Sequence, residues 1–250
     1  MTMDFDFIQR ILVNLLNGSV ITVFLVVTTM ICGNLLALPV ALARVSRHWW
    51  LKGPAFLYIL FMRGTPLIVQ MFMIYYGLAQ FPGVRHSFLW PILRDPVWCA
   101  FISLSINTAA YSGEVLRGAI QAVPHGEVEA ARSVGMRQGL LMRRIVLPIA
   151  LRQSLPVFAN ETVLLLKASA IVFTITVRDL MGEANIIRAQ TFRTYEPLIT
   201  AALIYLVMTW IIARAFGLLE SRLGLHRRAA PSAVPGRGAA PVTTVPLDAR

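Results

Sequence analysis

Apolar residues occur along this chain in runs long enough to cross a lipid bilayer. Crossing about 30 Å of hydrocarbon takes about 20 mostly apolar residues in a helix. Five stretches meet this requirement: Ser19–Ala43, Pro54–Leu78, Val97–Gly118, Leu147–Lys167 and Pro197–Leu218. The fourth contains Arg152, Asn160 and Glu161 and is followed by another apolar run at 168–177, so a broken or re-entrant path is an alternative for it. The pattern predicts an all-α integral membrane protein with five transmembrane helices.

Basic residues between these runs predict the orientation of the chain. Arg44, Arg47 and Lys52 follow the first run, and further arginines follow the third and the fifth. Short loops rich in Lys and Arg favour the cytoplasmic side of a membrane. These three segments share one side only if the N-terminus lies outside. We therefore expect residues 1–18 to form a periplasmic segment and residues 226–250, rich in Ala and Pro, to form a disordered cytoplasmic tail.

The composition agrees with a membrane protein, since 57% of residues are hydrophobic, 14% are charged and the mean hydropathy is +0.67. A net charge of +11 can indicate nucleic-acid binding, but the basic residues fall in short loops between apolar runs. We expect a lipid bilayer as the partner and no nucleic acid. Cys32 and Cys99 lack the spacing of a metal or redox site. His125 and Glu127 have no supporting ligand nearby, so no metal site is predicted.

A basic, helix-prone segment, GEVEAARSVGMRQGLLMRRIVLPIALRQ, separates the third and fourth runs. Its regular feature is the spacing EAA-x3-G-x9-I-x-LP, formed by Glu129, Ala130, Ala131, Gly135, Ile145, Leu147 and Pro148. The spacing predicts two helical pieces joined near Gly135, because glycine adopts backbone angles closed to other residues. The small alanines would let a partner pack closely, and Pro148 suits the first turn of the next helix. An ordinary amphipathic helix on the membrane surface is the alternative.

Together with RGTPLIVQMFMIYYGL (63–78), NTAAYSGEVLRGAIQAVPHGEVEAAR (107–132), ANETVLLLK (159–167) and FTITVRDL (173–180), this segment resembles permease subunits of binding-protein-dependent ABC importers. The resemblance is to the polar amino acid family, in its histidine/lysine/arginine/ornithine and octopine/nopaline branch, and to histidine-permease M-type subunits. It extends over 17–225. It implies a type I ABC importer permease fold for 19–225, with a cytoplasmic coupling loop at about 121–148.

The same resemblance implies the partners and the location of the chain. The coupling loop of such permeases docks onto a dimer of ATP-binding subunits. A second permease subunit, non-identical to the first, and a periplasmic substrate-binding protein complete the transporter. The expected location is the bacterial inner membrane, with the N-terminus periplasmic and the C-terminus cytoplasmic.

The sequence contains no GxxxxGK followed by Ser or Thr, which is the phosphate-binding loop of many ATPases. We therefore expect no catalytic residue and no cofactor in this chain, and we expect ATP to be bound by a partner subunit. A membrane-embedded enzyme using Glu161, Glu114 or His125 is an alternative, but its acid, base or metal groups do not converge in the sequence. A passive channel is another alternative, and it would need no docking loop.

Polar and ionisable residues within the apolar runs are candidates for a substrate path. A charge at the bilayer centre costs about 2.5 to 3.5 kcal/mol on insertion scales, so each needs a reason. The candidates are Arg63, Thr65, Asn107, Thr108, Asn160, Glu161 and Lys167. Pro66 would loosen the second run and free backbone carbonyls beside the path. The alternative for Arg63 and Glu161 is a structural ion pair, and Glu114 is expected to pair with Arg117.

Glu161 suits the ammonium group or the cationic side chain of a basic amino acid or opine. A different polar amino acid, such as glutamate or glutamine, is the alternative substrate. Several members of the resembled family have an acidic residue directly after the lysine that corresponds to Lys167, whereas this chain has Ala168. This departure implies that the second permease subunit does more of the binding.

Overall fold

The structure is a computed structural model that describes residues 5–222, and the predicted all-α class is confirmed within them. In chain order the α-helices are α1 (Phe5–Val45), α2 (Trp49–Gly64), α3 (Leu67–Phe72), α4 (Pro82–Arg85), α5 (Trp90–Leu93), α6 (Pro96–Gln121), α7 (His125–Ser133), α8 (Gln138–Leu141), α9 (Leu147–Ser169), α10 (Leu180–Thr191) and α11 (Tyr195–Arg222). Short π-helical turns lie at Met73–Gly77 and Met142–Val146, and 3-10 turns at Leu78–Gln80 and Val172–Ile175. The predicted tail at 226–250 lies outside the described residues.

Helix α1 passes both ends of the helical bundle and contacts all three groups of buried residues. At one end, the α10 end, Ile11 and Leu15 pack with residues of α10 and α11. At the other end, the α7 end, Ala37 and Ala41 pack with residues of α6, α7 and α9. The contact with α10 explains why α1 begins at Phe5, well before the predicted run at 19–43.

Two glycines allow α1 and α6 to approach each other closely. A Cβ atom placed on Gly33 would lie 2.8 Å from Cγ2 of Thr108, and one placed on Gly113 would lie 3.0 Å from Cγ1 of Val40. Small residues at helix contacts are common in membranes, where close van der Waals packing replaces the hydrophobic effect. This contact fixes α6, which carries several polar residues, against the longest helix of the chain.

The second predicted run, 54–78, is divided into two helical segments, which is a larger change than the loosening expected from Pro66. The axis of α2 and that of the segment Leu67–Gln80 differ by 105°. Pro66 causes the break, because proline has no backbone N–H with which to continue the helical hydrogen bonds. The carbonyl of Met62, four residues earlier, thereby loses its helical partner.

Two side-chain amides replace the hydrogen bond that Pro66 cannot donate. The amide nitrogen of Gln70 donates to the carbonyl of Met62 at 2.9 Å and to the carbonyl of Thr65 at 3.1 Å. The amide nitrogen of Asn107, on α6, donates to the same carbonyl of Met62 at 3.2 Å and to Oε1 of Gln70 at 3.0 Å. Gln70 is buried, so an unpaired carbonyl here would lack water. The broken helix is thereby joined to α6.

Within the described residues, two helices are each long and apolar enough to cross a membrane, α1 from Asp6 onwards and α11. The bent pair formed by α2 and Leu67–Gln80 would count as a third span. Helices α6 and α9 have 26 and 23 residues, enough length to cross, but they contain more polar residues. The count of five spans therefore stays a prediction.

The fourth predicted run forms the continuous helix α9, although Pro156 lies within it. The apolar run that follows does not lengthen this helix. It forms the 3-10 turn Val172–Ile175, whose first and last residues are fully buried, and then Thr176 adopts a left-handed backbone with φ of 68°. The chain thus turns back into the bundle before α10 begins.

Asp179 is the N-cap residue of α10 and lies against α1. Its carboxylate accepts hydrogen bonds from the backbone N–H groups of Gly182 at 2.9 Å and Met181 at 3.4 Å. A Cβ atom placed on Gly18 of α1 would lie 2.7 Å from the Asp179 carbonyl oxygen, so the two helices are in close contact there. Burial raises the pKa of Asp179 to about 6 from 3.8.

Asp179 should make the protein more stable at mildly acidic pH. Because its pKa is raised on folding, the stabilising effect is complete below pH 3.8 and is lost as the pH rises through about 6. Between pH 7.5 and pH 5 the free energy of unfolding should rise by about 1.4 kcal/mol from this group. Thermal unfolding of the purified protein at the two pH values measures the difference.

Asp179→Asn should abolish most of that difference and keep the helix cap, since Asn is also a good N-cap residue. Asp95→Asn is the matched control, because Asp95 caps α6 in the same way at a half-buried position. An equal pH effect in the wild type and in Asp179→Asn would contradict this assignment.

Gln70 should stabilise the bend at Pro66. Gln70→Leu removes the donor to the Met62 and Thr65 carbonyls at a buried position, and such a loss costs about 1 to 3 kcal/mol. We expect a lower thermal unfolding midpoint for the purified protein. Gln190→Leu, at an exposed position of α10, is the control and should leave the midpoint unchanged. Equal midpoints for the two variants would show that the amide of Gln70 does not hold the bend.

Candidate functional site

A cavity of about 240 Å³, here called the Glu161 cavity, lies where the broken helix, α6 and α9 meet. Its polar wall consists of Thr65, Asn107, Thr108, Tyr111 and Glu161. Its apolar wall consists of Leu67, Leu104, Leu164, Leu165 and Ala168. The residues from α6 follow the three- and four-residue spacing of one helix face, which is why a single helix contributes so many of them.

The hydrogen bonds of the bend hold one side of this cavity. Besides its bonds to backbone carbonyls, the Gln70 amide donates to Oγ1 of Thr65 at 2.8 Å. Asn107, which lines the cavity, is fixed by its bonds to Gln70 and Met62. Thr65 and Asn107 are thus held by the same interactions that stabilise the break.

Glu161 supplies the carboxylate of the cavity from α9. The residue is half-buried, and in the described part of the chain no cationic group lies within 4 Å of it. A carboxylate in such a place can bind an ammonium or guanidinium group, while the hydroxyl and amide groups opposite can hydrogen-bond other parts of the same molecule.

The structure brings together four of the seven predicted path residues, which are Thr65, Asn107, Thr108 and Glu161. Arg63 lines a neighbouring cavity, and its guanidinium lies over the ring of Tyr111 at 5.1 Å. Asn160 and Lys167 are exposed on α9 and do not line either cavity. Successive helical residues point about 100° apart, so Asn160 and Glu161 cannot face the same side.

Gln70 and Tyr111 are not among the residues predicted from the sequence. Gln70 is a polar residue in an apolar run, four positions after Pro66, and so has the spacing of a partner for the freed carbonyls. Tyr111 follows Asn107 by four residues on α6 and therefore shares its face. The expected pairing of Glu114 with Arg117 is present, at 2.7 Å.

The segment 121–148, here called the EAA loop, has the predicted form of two helical pieces joined near Gly135. Helix α7 ends before Gly135, whose φ is +77°, and α8 begins after it. The N–H of Gly135 donates to the carbonyl of Arg132 at 2.9 Å, and the N–H of Met136 donates to that of Ala131 at 3.2 Å. These two bonds form the Schellman ending of a helix, which requires a left-handed residue at the position of Gly135.

The EAA loop has an inner and an outer face. Ala131 is buried and packs with Leu141 and Val146 at the α7 end of the bundle, so it cannot contact a partner itself. Glu129 and Ala130 are exposed, and so is Val134, at 73%. Of the two alanines, only Ala130 is therefore accessible for the close packing with a partner that the sequence predicted.

The remaining residues of the EAA spacing anchor the loop to α9. Ile145 and Leu147 are half-buried against the same buried group as Ala131. Pro148 lies in the first turn of α9, as predicted. Residues of α7 and of α9 thus pack in one buried group, and α9 is the helix that carries Glu161 into the cavity.

Comparison with known protein families matches residues 33–225 to the inner membrane component of binding-protein-dependent transport systems. The chain is 47% identical to the octopine transport system permease protein OccM of Rhizobium radiobacter, over 90% of this chain and 93% of that protein. It is 42% identical to the nopaline permease protein NocM of Agrobacterium fabrum, over 91% and 95%. It is 38% identical to the histidine/lysine/arginine/ornithine permease protein HisM of Escherichia coli, over 84% and 88%.

Solved structures agree with these relatives. A crystal structure of an amino acid ABC transporter with histidines matches with a TM-score of 0.78 and 37% identity, over 89% of this chain and all of that chain. An inward-facing structure of the MetNI methionine ABC transporter matches with a TM-score of 0.70 at 17% identity, over 84% and 96%, which is a likeness of fold alone. The predicted ABC importer permease fold is thereby confirmed. This chain belongs to the family of inner-membrane components of binding-protein-dependent transport systems.

Proposed function

We propose that this chain is the permease subunit of an ATP-driven importer for polar amino acids or opines that carry a cationic group. The observation that carries the proposal is the Glu161 cavity, in which a carboxylate that forms no ion pair within residues 5–222 faces hydroxyl and amide groups. The relatives named for octopine, nopaline and histidine, lysine, arginine or ornithine support this substrate class, since all of these molecules combine cationic or imidazole groups with carboxylates.

Energy for uphill transport would come from a dimer of ATP-binding subunits. The sequence has no phosphate-binding loop of its own, and the EAA loop presents Glu129, Ala130 and Val134 on its outer face. We assign this face to contact with the ATP-binding subunit. A periplasmic binding protein would deliver the substrate, and a second, non-identical permease subunit would complete the path.

The proposed orientation places the α7 end in the cytoplasm and the α10 end in the periplasm. Arg44, Arg47 and Lys52 lie at the α7 end without a neighbouring acid in sequence, which supports this assignment. The chain would then cross the inner membrane five times. Closure of the ATP-binding subunits would move α7, and α9 would follow it, so that the Glu161 cavity opens alternately to the two sides.

Ala168 lines the Glu161 cavity at the position where the resembled family often has an acidic residue. The cavity of this subunit therefore has one carboxylate where two would bind a cation more strongly. This supports the proposal that the second permease subunit contributes more to substrate affinity than this subunit does.

Glu161→Gln should reduce uptake of arginine or octopine at least tenfold in cells or proteoliposomes that contain the complete transporter. The loss of the negative charge removes the attraction for the cationic group, an effect of about 1.4 kcal/mol or more. Asn160→Ala is the matched control, because this neighbouring residue is exposed and outside the cavity. Equal uptake by the Glu161→Gln variant and the wild type would remove Glu161 from the path.

Gly135→Val should impair both co-purification of the ATP-binding subunit and uptake. A left-handed backbone costs roughly 1 to 2 kcal/mol for a residue other than glycine, and more for a β-branched one. Gly139→Val is the matched control, since a Cβ atom meets nothing within 4 Å at either glycine and only Gly135 has a positive φ. Gly135→Asn should retain more activity, because Asn tolerates this backbone. Normal association and uptake in Gly135→Val would exclude the coupling role.

A further inference from the structure

A second cavity, of about 400 Å³, adjoins the Glu161 cavity and is here called the Arg44 cavity. Arg44 of α1, Arg63 of α2, and Tyr111 and Glu114 of α6 form its polar wall. Tyr111 lines both cavities, so they are neighbours. Glu114 follows Tyr111 by three residues on α6, in the direction of α7. The Arg44 cavity therefore lies on the α7 side of the Glu161 cavity, along one face of α6.

Positive charge exceeds negative charge in the Arg44 cavity. The single carboxylate, that of Glu114, is bound by Arg117 at 2.7 Å, and its second oxygen lies 3.8 Å from Nε of Arg44. That oxygen and Nε of Arg44 are both buried without a hydrogen-bond partner. Within the described residues no carboxylate lies within 4 Å of Arg63. The cavity is thus lined by two arginines and one carboxylate, and that carboxylate is already paired with Arg117.

The chemistry of this arrangement favours an anion. A guanidinium group presents several N–H donors in a plane and binds carboxylates with two parallel hydrogen bonds. The buried Nε of Arg44 is a donor that no group of the described chain uses. Phe56, Ile59 and Leu60 form the apolar part of the wall, and of these three only Ile59 is buried. The volume is sufficient for the carboxylate end of an amino acid.

We infer that the Arg44 cavity is an anion subsite in which Arg44 and Arg63 bind the carboxylate of the transported molecule after it leaves Glu161. This inference rests on the proposed import of amino acids or opines. Such molecules carry a cationic group and at least one carboxylate, so the two cavities bind opposite ends of them. A substrate that passes from Glu161 towards the α7 end thus exchanges a carboxylate that binds its cationic group for guanidinium groups that bind its carboxylate.

The charge preference of the Arg44 cavity can be measured with thiol reagents on the complete transporter, after Cys32 and Cys99 have been replaced by serine. Leu60→Cys places a thiol in the Arg44 cavity, and Leu164→Cys places one in the Glu161 cavity as the matched control. The reaction rate of an anionic sulfonate methanethiosulfonate is divided by that of a cationic trimethylammonium methanethiosulfonate. We expect this ratio to be at least about fivefold higher at Leu60→Cys, because the guanidinium groups attract the anionic reagent and repel the cationic one.

Arg44→Gln and Arg63→Gln should each lower the ratio at Leu60→Cys, whereas Arg44→Lys should preserve it because the charge is kept. The lysine variant separates an effect of charge from a failure to fold. A ratio that both glutamine variants leave unchanged, or a ratio equal at the two cysteine positions, would overturn the inference.

Protection experiments identify the anion. Arginine and octopine should slow the labelling of Leu60→Cys, and inorganic phosphate at the same concentration should slow it much less. Equal slowing by phosphate would indicate a general anion site and contradict the assignment to the substrate carboxylate, as would no slowing by arginine or octopine. The ratio of labelling rates is measured without substrate uptake. A negative result for the anion subsite can therefore be distinguished from a failure of the transporter to import these molecules.

Discussion

The pairing of the Met62 carbonyl with the side chains of Gln70 and Asn107 is the interaction on which the arrangement of this protein depends. A helix broken in a membrane exposes backbone groups that no water can reach, so the break persists only if side chains satisfy them. The amides that do so come from both sides of the contact between the broken helix and α6. The same bonds place Thr65 and Asn107 at the wall of the Glu161 cavity. The hydrogen bonds that stabilise the break therefore also hold the polar wall of the cavity in place.

The helices that line the Glu161 cavity also border the EAA loop. Helix α6 leads directly towards α7, and α9 begins where the loop ends, at Leu147. The Schellman ending at Gly135 fixes the angle between α7 and the rest of the loop, because its hydrogen bonds need a left-handed residue. Ala131 packs the inner face of α7 onto the bundle. Under the proposed function, a force applied to the outer face of α7 would reach α6 and α9, which carry all the polar groups of the cavity except Thr65.

Several features of the fold and of the candidate site could be predicted from the sequence, because they depend on one residue or on a short sequence pattern. The EAA spacing located the bend at Gly135, Pro66 located the break in the second run, and the cost of burying a carboxylate singled out Glu161. Other features depend on three-dimensional packing. The inward position of Ala131 follows from contacts with Leu141 and Val146, which no local pattern specifies. Asn160 and Glu161 were both predicted to line the path, although helix geometry points the two side chains in different directions.

The central claim is that the transported molecule occupies the cavity held by the Pro66 break and Glu161. Substrate protection of a single cysteine tests it most directly: the rate of thiol labelling of Leu164→Cys in the complete transporter, with and without saturating arginine or octopine. Asn160→Cys, on the same helix but outside the cavity, serves as the reference. Substrate should slow labelling of Leu164→Cys severalfold and leave labelling of Asn160→Cys unchanged. Equal labelling of Leu164→Cys with and without substrate, in a transporter that imports it, would exclude this cavity as a substrate site.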